Sequence, residues 1–590
     1  AALAGVRFRF AEEEEAIEYV SSLAQDMFLY RPEHVVAAAA VYSDWDPELV
    51  ESLLAKMTPG NCRVDLQTHD FEAQSLLWNQ RFADCAVQHE PWFELDYLVA
   101  DVPRDLLAAW EAAAPETDMA LPAPNPYIPS DFALRCDGAG EKAGEEGEKE
   151  PRPVCPPALA TSSPAPPSLL LAAPGVRVWH KLDAAFRQPR ACAYVRLASP
   201  ALYASARAAA AAHLALKLLE DSLCESLYYA DLAGLSCSTW FEGPAGLDVR
   251  VEGFSHRADA LLDLVLRSLR RLRPAAGSGK RVLEALRRQY ANVNMKPAKH
   301  ATYLRLAVLK KTVFGCDEVL RELDEDLLAE IPGFIDRVLS GADLAVDVLL
   351  HGNVSALEAH AAALRAVRSL EMRVPVAGLE QGKEQGKEQG AGEASPCSPL
   401  GLDSPPLTSE TVLAALPSLA ALPCPVPRPP QVRCTRLPSR CDWLLRAPVK
   451  NPAERTSAVE IYYQCGRDST AERVLLDCVC QLLHEPCYDE LRTKEQLGYT
   501  VHSGLRCTHG LLGLAVVVVS ASHGAAHVDA RVEAFLEGQR ARLRSLPAEE
   551  FEAHRVALRS VKLQKDRALV DECDRAWEEI VSLRRSFGAR

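Results

Sequence analysis

A chain of 590 residues is long enough for several domains, each with its own core. Its hydrophobic fraction of 48% and charged fraction of 25% are ordinary for a globular protein, and a net charge of −16 argues against a nucleic-acid surface. The 18 cysteines include no CxxC pair, which argues against a zinc ribbon or a secreted disulfide framework and predicts reduced thiols in a cytoplasmic setting. The longest aliphatic run, residues 511–519, is too short to span a bilayer and predicts a buried strand, so no membrane partner is expected.

In chain order, VRFRF at 6–10 alternates and predicts a strand. The acids Glu12 to Glu15 suit the start of a helix. A helix is predicted over 47–57, a turn at Pro59-Gly60 and a strand over 62–67. NPYIPSDF at 125–132 reads as extended, so residues 1–136 look like the tail of a domain. Residues 137–175, rich in Gly, Glu, Lys, Pro and Ala, predict a disordered linker.

Residues 176–375 read as a full α+β domain. Strands are predicted over 191–197, 247–254 and 344–350, the last running into His351-Gly352-Asn353. Helices are predicted over 204–229, 258–272, 279–290 and 355–370. Residues 376–437 form a second linker, with EQGKEQGKEQG at 380–390, a Pro-rich stretch, and an apolar helix over 411–422 weakened by Pro417. The last domain, 438–590, opens with a strand over 458–464 and a helix over 470–483. A strand over 511–522 and helices over 528–544, 548–566 and 572–586 follow.

Between them lies HEPCYDELRTKEQLGYTVHSG, residues 484–504. Pro486 predicts the first turn of a short helix, Gly498 its end, and Tyr499 the start of a strand. Such a corner gathers Arg492, Lys494 and Tyr499 on regular elements that can hold them toward a bound chain. Tyr488, on the same helix, faces either a ligand or the core. Taken alone, the stretch also reads as a surface helix with ordinary charges.

LRTKEQLGYTVHSG resembles the signature in the last domain of the large pitrilysin-type (M16) zinc metallopeptidases, the insulin-degrading enzyme and nardilysin subfamily. NPYIPSDF, ADLAGLS at 230–236, VEGFSH at 251–256, YLRL at 303–306 and LLHGNVS at 349–355 resemble its other domains. The resemblance implies an α+β fold of repeated domains, each an antiparallel sheet packed with helices, joined by disordered linkers. Residues 1–136 would close the second domain, 176–375 form the third, and 438–590 form the fourth, truncated at its C-terminus.

The family's chemistry needs HxxEH on a helix, two histidines ligating zinc and the Glu acting as base. The sequence has no such motif; His69-Asp70-Phe71-Glu72-Ala73 lacks the second His, and His351 and His360 flank Glu358 at the wrong spacing. The resemblance therefore implies no catalytic or metal-binding residue in this chain, with zinc held elsewhere in the complete enzyme. Arg492 and Tyr499 occupy the positions that reach the substrate, with Tyr488 beside them. Arg559, Lys562, Lys565 and Arg567 resemble a cluster that binds polyanions; Asp566 interrupts it, and a solvated helix face is the alternative.

The function implied is the substrate-binding, chamber-closing half of a peptidase acting on short unstructured peptides. Its partners would be those peptides and a zinc-bearing N-terminal half, with a homodimer left open. The other reading is a stand-alone, non-catalytic homologue that binds peptides.

Overall fold

The computed structural model describes residues 2–42, 45–67, 85–114, 119, 123–137, 165–173, 175–372, 432–440, 442–582, 584 and 587. They divide into two compact units, 1–124 and 125–590. The first holds helices α1 (Ala2–Arg9), α2 (Ala16–Leu29), α3 (Pro47–Leu54) and α4 (Arg104–Glu111), with a hairpin of β1 (Gln88–Glu90) and β2 (Leu95–Tyr97). Asp46 caps α3 by accepting from Leu49 N at 3.0 Å. Among its described residues only Val35 is buried.

Two strand expectations fail in this unit. VRFRF lies within and just after α1, because five alternating residues behind an Ala-rich start suit a helix equally well. Residues 62–67 are exposed and form no strand, since among the described residues no neighbouring strand completes their ladder.

The second unit is built on two sheets. The larger has the order β3-β4-β8-β5-β7-β6. Its strands are β3 (Ser168–Ala173), β4 (Val176–Leu182), β5 (Arg190–Ala198), β6 (Leu235–Phe241), β7 (Leu247–Phe254) and β8 (Ala345–Gly352). All pairs are antiparallel except β4 with β8. Helices α5 (Ala206–Leu232), α6 (Ser255–Arg270), α7 (Ala276–Ala291), α8 (Pro297–Leu309), α9 (Cys316–Glu322), α10 (Asp326–Ser340) and α11 (Ala356–Ser369) fill out this half. Strand β8 is buried along its whole length, as expected of a strand covered on both faces.

The smaller sheet has the order β10-β11-β9, from β9 (Ser457–Arg467), β10 (Thr500–Thr508) and β11 (Leu511–Ser520). It carries α12 (Thr470–Cys487), a π-helix (Tyr488–Lys494), α13 (Ala525–Arg544) and α14 (Ala548–Lys562). Arg305 on α8 packs that helix onto the smaller sheet, pairing with Glu460 on β9 at 2.7 Å.

The last helix, α15 (Leu569–Val581), packs on the larger sheet and not on its neighbour in sequence. Its Leu569, Cys573, Ala576, Trp577 and Ile580 share a core with Trp179, Cys192, Tyr194 and Leu349. Under it runs a row of alternating charge, with strand register pairing Arg177 with Asp347, Asp347 with Arg196, and Arg196 with Asp248. All four are buried, and the Arg177–Asp347 and Arg196–Asp248 contacts close to 2.5 Å. A one-residue slip would bury each of these charges without its partner, so the row reinforces the register.

Two domain edges differ from the sequence reading. Residues 168–173, expected in the first linker, form β3, because SLLLAA can pair with β4 through a tight turn at Gly175. Residues 125–137, expected with the first domain, belong to the second unit. There Asn353 Nδ2 donates to Ala133 O at 2.9 Å, and Arg135 N donates to Asn353 Oδ1 at 2.7 Å. The expected helix over 411–422 and most of both linkers lie outside the described residues.

Candidate substrate-contact site

Helix α12 starts at Ser469, whose hydroxyl accepts from Glu472 N at 3.2 Å. It does not stop before Pro486, which lies inside it. Proline has no N–H to return to the carbonyl of Leu482, and its ring crowds that carbonyl. The chain relieves this by widening: residues Tyr488–Lys494 wind as a π-helix, and Glu495 N donates to Glu490 O, five residues back, at 2.9 Å. Pro486 thus opens no separate helix. It changes the pitch of one that continues.

The exit is equally constrained. Gln496 turns the chain with φ of +52°, and Leu497 N donates to Leu491 O at 3.0 Å. At Gly498 the backbone passes so close to β11 that an added Cβ would sit 1.9 Å from Val519 O. Only glycine fits there. Cys487, Leu491 and Leu497 anchor the turn in a core with Val516, Val518, Val532 and Phe535. Arg531 on α13 holds Glu495 at 2.5 Å and draws its carboxyl below the ordinary value.

This frame brings three predicted residues together. The Arg492 guanidinium lies 4.6 Å from the Tyr488 ring centre and 4.4 Å from that of Tyr499. It also donates to the Tyr488 hydroxyl. Tyr488 is 43% exposed and Tyr499 85%, so both rings face outward and not into the core. Among the described residues no carboxylate pairs with Arg492, whereas Lys494 is taken by Asp489 at 2.6 Å. Each ring face stabilises a cation by about 0.5–1 kcal/mol at an exposed site. The result is a permanently charged donor held within cation–π distance of two rings, beside an exposed phenol. It suits carbonyl or carboxylate oxygens of an extended chain.

His484 and His502, which the sequence reading passed over, sit beside this corner with ring centres 6.3 Å apart. Burial, then Arg506 and His484, lower the His502 pKa. Their separation in sequence gave no spacing to notice.

The basic cluster is less convergent. Arg559 and Lys562 end α14, while Lys565 and Arg567 lie in the connection beyond it. Lys562 is committed to Asp477 at 2.5 Å, and Asp566 binds Arg575 at 2.6 Å.

Zinc finds no ligand set in these residues. Among the described residues no three His, Cys, Asp or Glu side chains converge for a metal. His351 is buried 3.2 Å from Glu572, while His360 is half-buried with Nδ1 2.7 Å from the Ala356 carbonyl. The 69–73 stretch lies outside the described residues.

The description "Middle or third domain of peptidase_M16" matches residues 8–322, more than half of the chain. This chain belongs to the M16 peptidase family. A second description, "PQQ synthase PqqF-like, C-terminal lobe domain 4", matches residues 478–577 of the M16 chain and so spans the Arg492 corner. A nardilysin-like protein of Arabidopsis thaliana is 31% identical over 98% of this chain and 49% of its own length. Insulin-degrading enzyme of Homo sapiens is 28% identical over 99% of this chain and 49% of its own length. For Homo sapiens nardilysin the figures are 26%, 98% and 43%. The chain thus spans about half the length of the curated relatives it matches. The crystal structure of pitrilysin has the same fold, with a TM-score of 0.64 and 18% identity over 99% of this chain and 52% of that one.

Among the described residues no helix is long and apolar enough to cross a membrane. The described cysteines are all unpaired.

Proposed function

We propose that this M16 chain is the substrate-binding, chamber-closing half of a zinc metalloendopeptidase that hydrolyses short, unstructured peptides. The HxxEH half lies outside this sequence, and the free thiols support a cytoplasmic setting. The observation that carries the reading is the guanidinium of Arg492, free of any described carboxylate and clamped between Tyr488 and Tyr499. Arg492 donates charge-assisted hydrogen bonds to a substrate carbonyl or to the oxygen that gains charge during hydrolysis. Tyr499 donates its hydroxyl beside it, and Tyr488, which accepts from the guanidinium, holds it in place. Zinc supplies the activated water in the other half, so the chain alone binds peptide without cleaving it.

The test combines the chain with its zinc-bearing half and follows cleavage of a quenched fluorescent peptide. Removing one such donor lowers turnover on the order of a hundredfold, so Arg492→Ala falls by about that much and Tyr499→Phe by less, both with unchanged circular dichroism. Undiminished turnover in both variants overturns the roles given to these residues. The absence of HxxEH from all 590 residues favours a second reading, a non-catalytic homologue that only captures peptides. Peptide binding that never becomes cleavage, whichever zinc-bearing M16 half is added, selects that reading.

A further inference from the structure

Strand β6 ends the larger sheet, and among the described residues no strand pairs with its outer side. Ser236 and Ser238 on it are exposed. An edge of this kind offers a row of unpaired N–H and C=O groups to any extended chain. Helix α5 runs alongside it, and a cavity of about 250 Å³ opens between the two.

The cavity's walls fix what would fill it. Leu219, Leu223 and Leu227 repeat every four residues along one face of α5, and Val265 of α6 completes the apolar side. Its carboxylate, Glu220, is already paired with Lys217 Nζ at 2.6 Å and accepts from Thr239 Oγ1 at 3.1 Å. No uncompensated charge calls for a cationic occupant, and an apolar one strands no ion. Cys237 lines the same space, but burial pushes its thiol up to about 12, so capture is reversible and not covalent. A cavity of roughly 150 Å³ already accepts benzene, so this one has room for a Phe or Leu side chain.

We propose that β6 and α5 form a docking groove for an extended peptide segment, which pairs its main chain with β6 and places one bulky apolar side chain in the cavity beside Leu223. Main-chain pairing gives affinity without sequence preference, and the cavity selects the residue. The groove lies on a different sheet from the Arg492 corner and stands independently of the role given to that corner.

A fluorescein-labelled heptapeptide, acetyl-Thr-Val-Thr-Phe-Thr-Val-Thr-amide, is titrated with the full chain and followed by anisotropy. Saturable binding is expected, weakened at least about tenfold by replacing the central Phe with Ala, the loss due to one unburied aromatic side chain. N-methylation of the peptide backbone weakens it similarly, as does filling the cavity mouth with Leu227→Trp. The Phe-dependent part of this binding persists in Arg492→Ala. No saturation overturns the proposal, as does binding indifferent to the Phe, to N-methylation or to the filled cavity, or binding abolished by Arg492→Ala. Concentration-dependent pairing of two chains through β6, with no peptide competition, also overturns it. The peptide-side changes keep the test decisive should Leu227→Trp fail to fold.

Discussion

Glu572 fastens α15 to the larger sheet, and its charge is what does so. Lys181 and His351 are register partners on β4 and β8, and both face it: Lys181 Nζ at 2.5 Å and His351 Nε2 at 3.2 Å. Arg575 lies 3.9 Å away on its own helix. Burial alone would raise the Glu572 pKa, yet His351 and Lys181 outweigh it and bring it from an ordinary 4.5 down to about 2. At about 1.4 kcal/mol per pH unit, that difference is worth about 3 kcal/mol of folding free energy. The folded pKa is the lower one, so the contribution is complete above about pH 5 and lost as pH falls through 4.5 toward 2. Glu572→Gln should therefore be about 3 kcal/mol less stable than the native chain at pH 7, with less than half of that gap left at pH 3. Urea unfolding followed by tryptophan fluorescence measures this, helped by Trp577, which is 1% exposed on the same helix. A gap of equal size at both pH values would show that packing, not charge, secures α15.

Replacing Asp347 by Asn strips the shared counter-ion from the buried Arg177 and Arg196, and unfolding midpoints should show a loss of about 3–5 kcal/mol. Pro486→Ala should stabilise α12, by up to about 3 kcal/mol, while the π-turn reverts to ordinary pitch and Arg492 leaves its sandwich. Thermal melts would then rise as peptide affinity at the Arg492 corner falls; unchanged affinity would detach the π-helix from function. Gly498→Ala forces the backbone off Val519 O and should cost about 3 kcal/mol, seen as a lowered melting temperature with faster amide exchange in β10.

The larger sheet was legible where strands are long and flanked by turn residues: LDVRVEGF and the run into His351-Gly352-Asn353 lie where expected. Short alternating stretches near the start misled, because a two-residue period over five or six residues needs a partner strand to become a strand. The Arg492 corner was readable as a corner, since Gly498 and the charged run mark it. Its internal geometry was not, because a proline that sequence logic places at a helix start can instead widen a helix in progress. The charged row through Arg177, Asp347, Arg196 and Asp248 was illegible for another reason. Its members lie on four strands far apart in sequence, and only register reveals that they meet. The same holds for α15, whose apolar face is plain in the sequence but whose destination is not.

That destination sets an order of events during synthesis. Trp179, Cys192, Tyr194 and Leu349 are translated long before the residues that cover them. A ribosome must add more than two hundred residues after Leu349 before Leu569 to Ile580 can arrive. Until then the first sheet offers one bare greasy face to chaperones or to other nascent chains. Expressing residues 165–372 alone would reproduce that waiting state permanently, and supplying the α15 segment as a separate peptide should quench it.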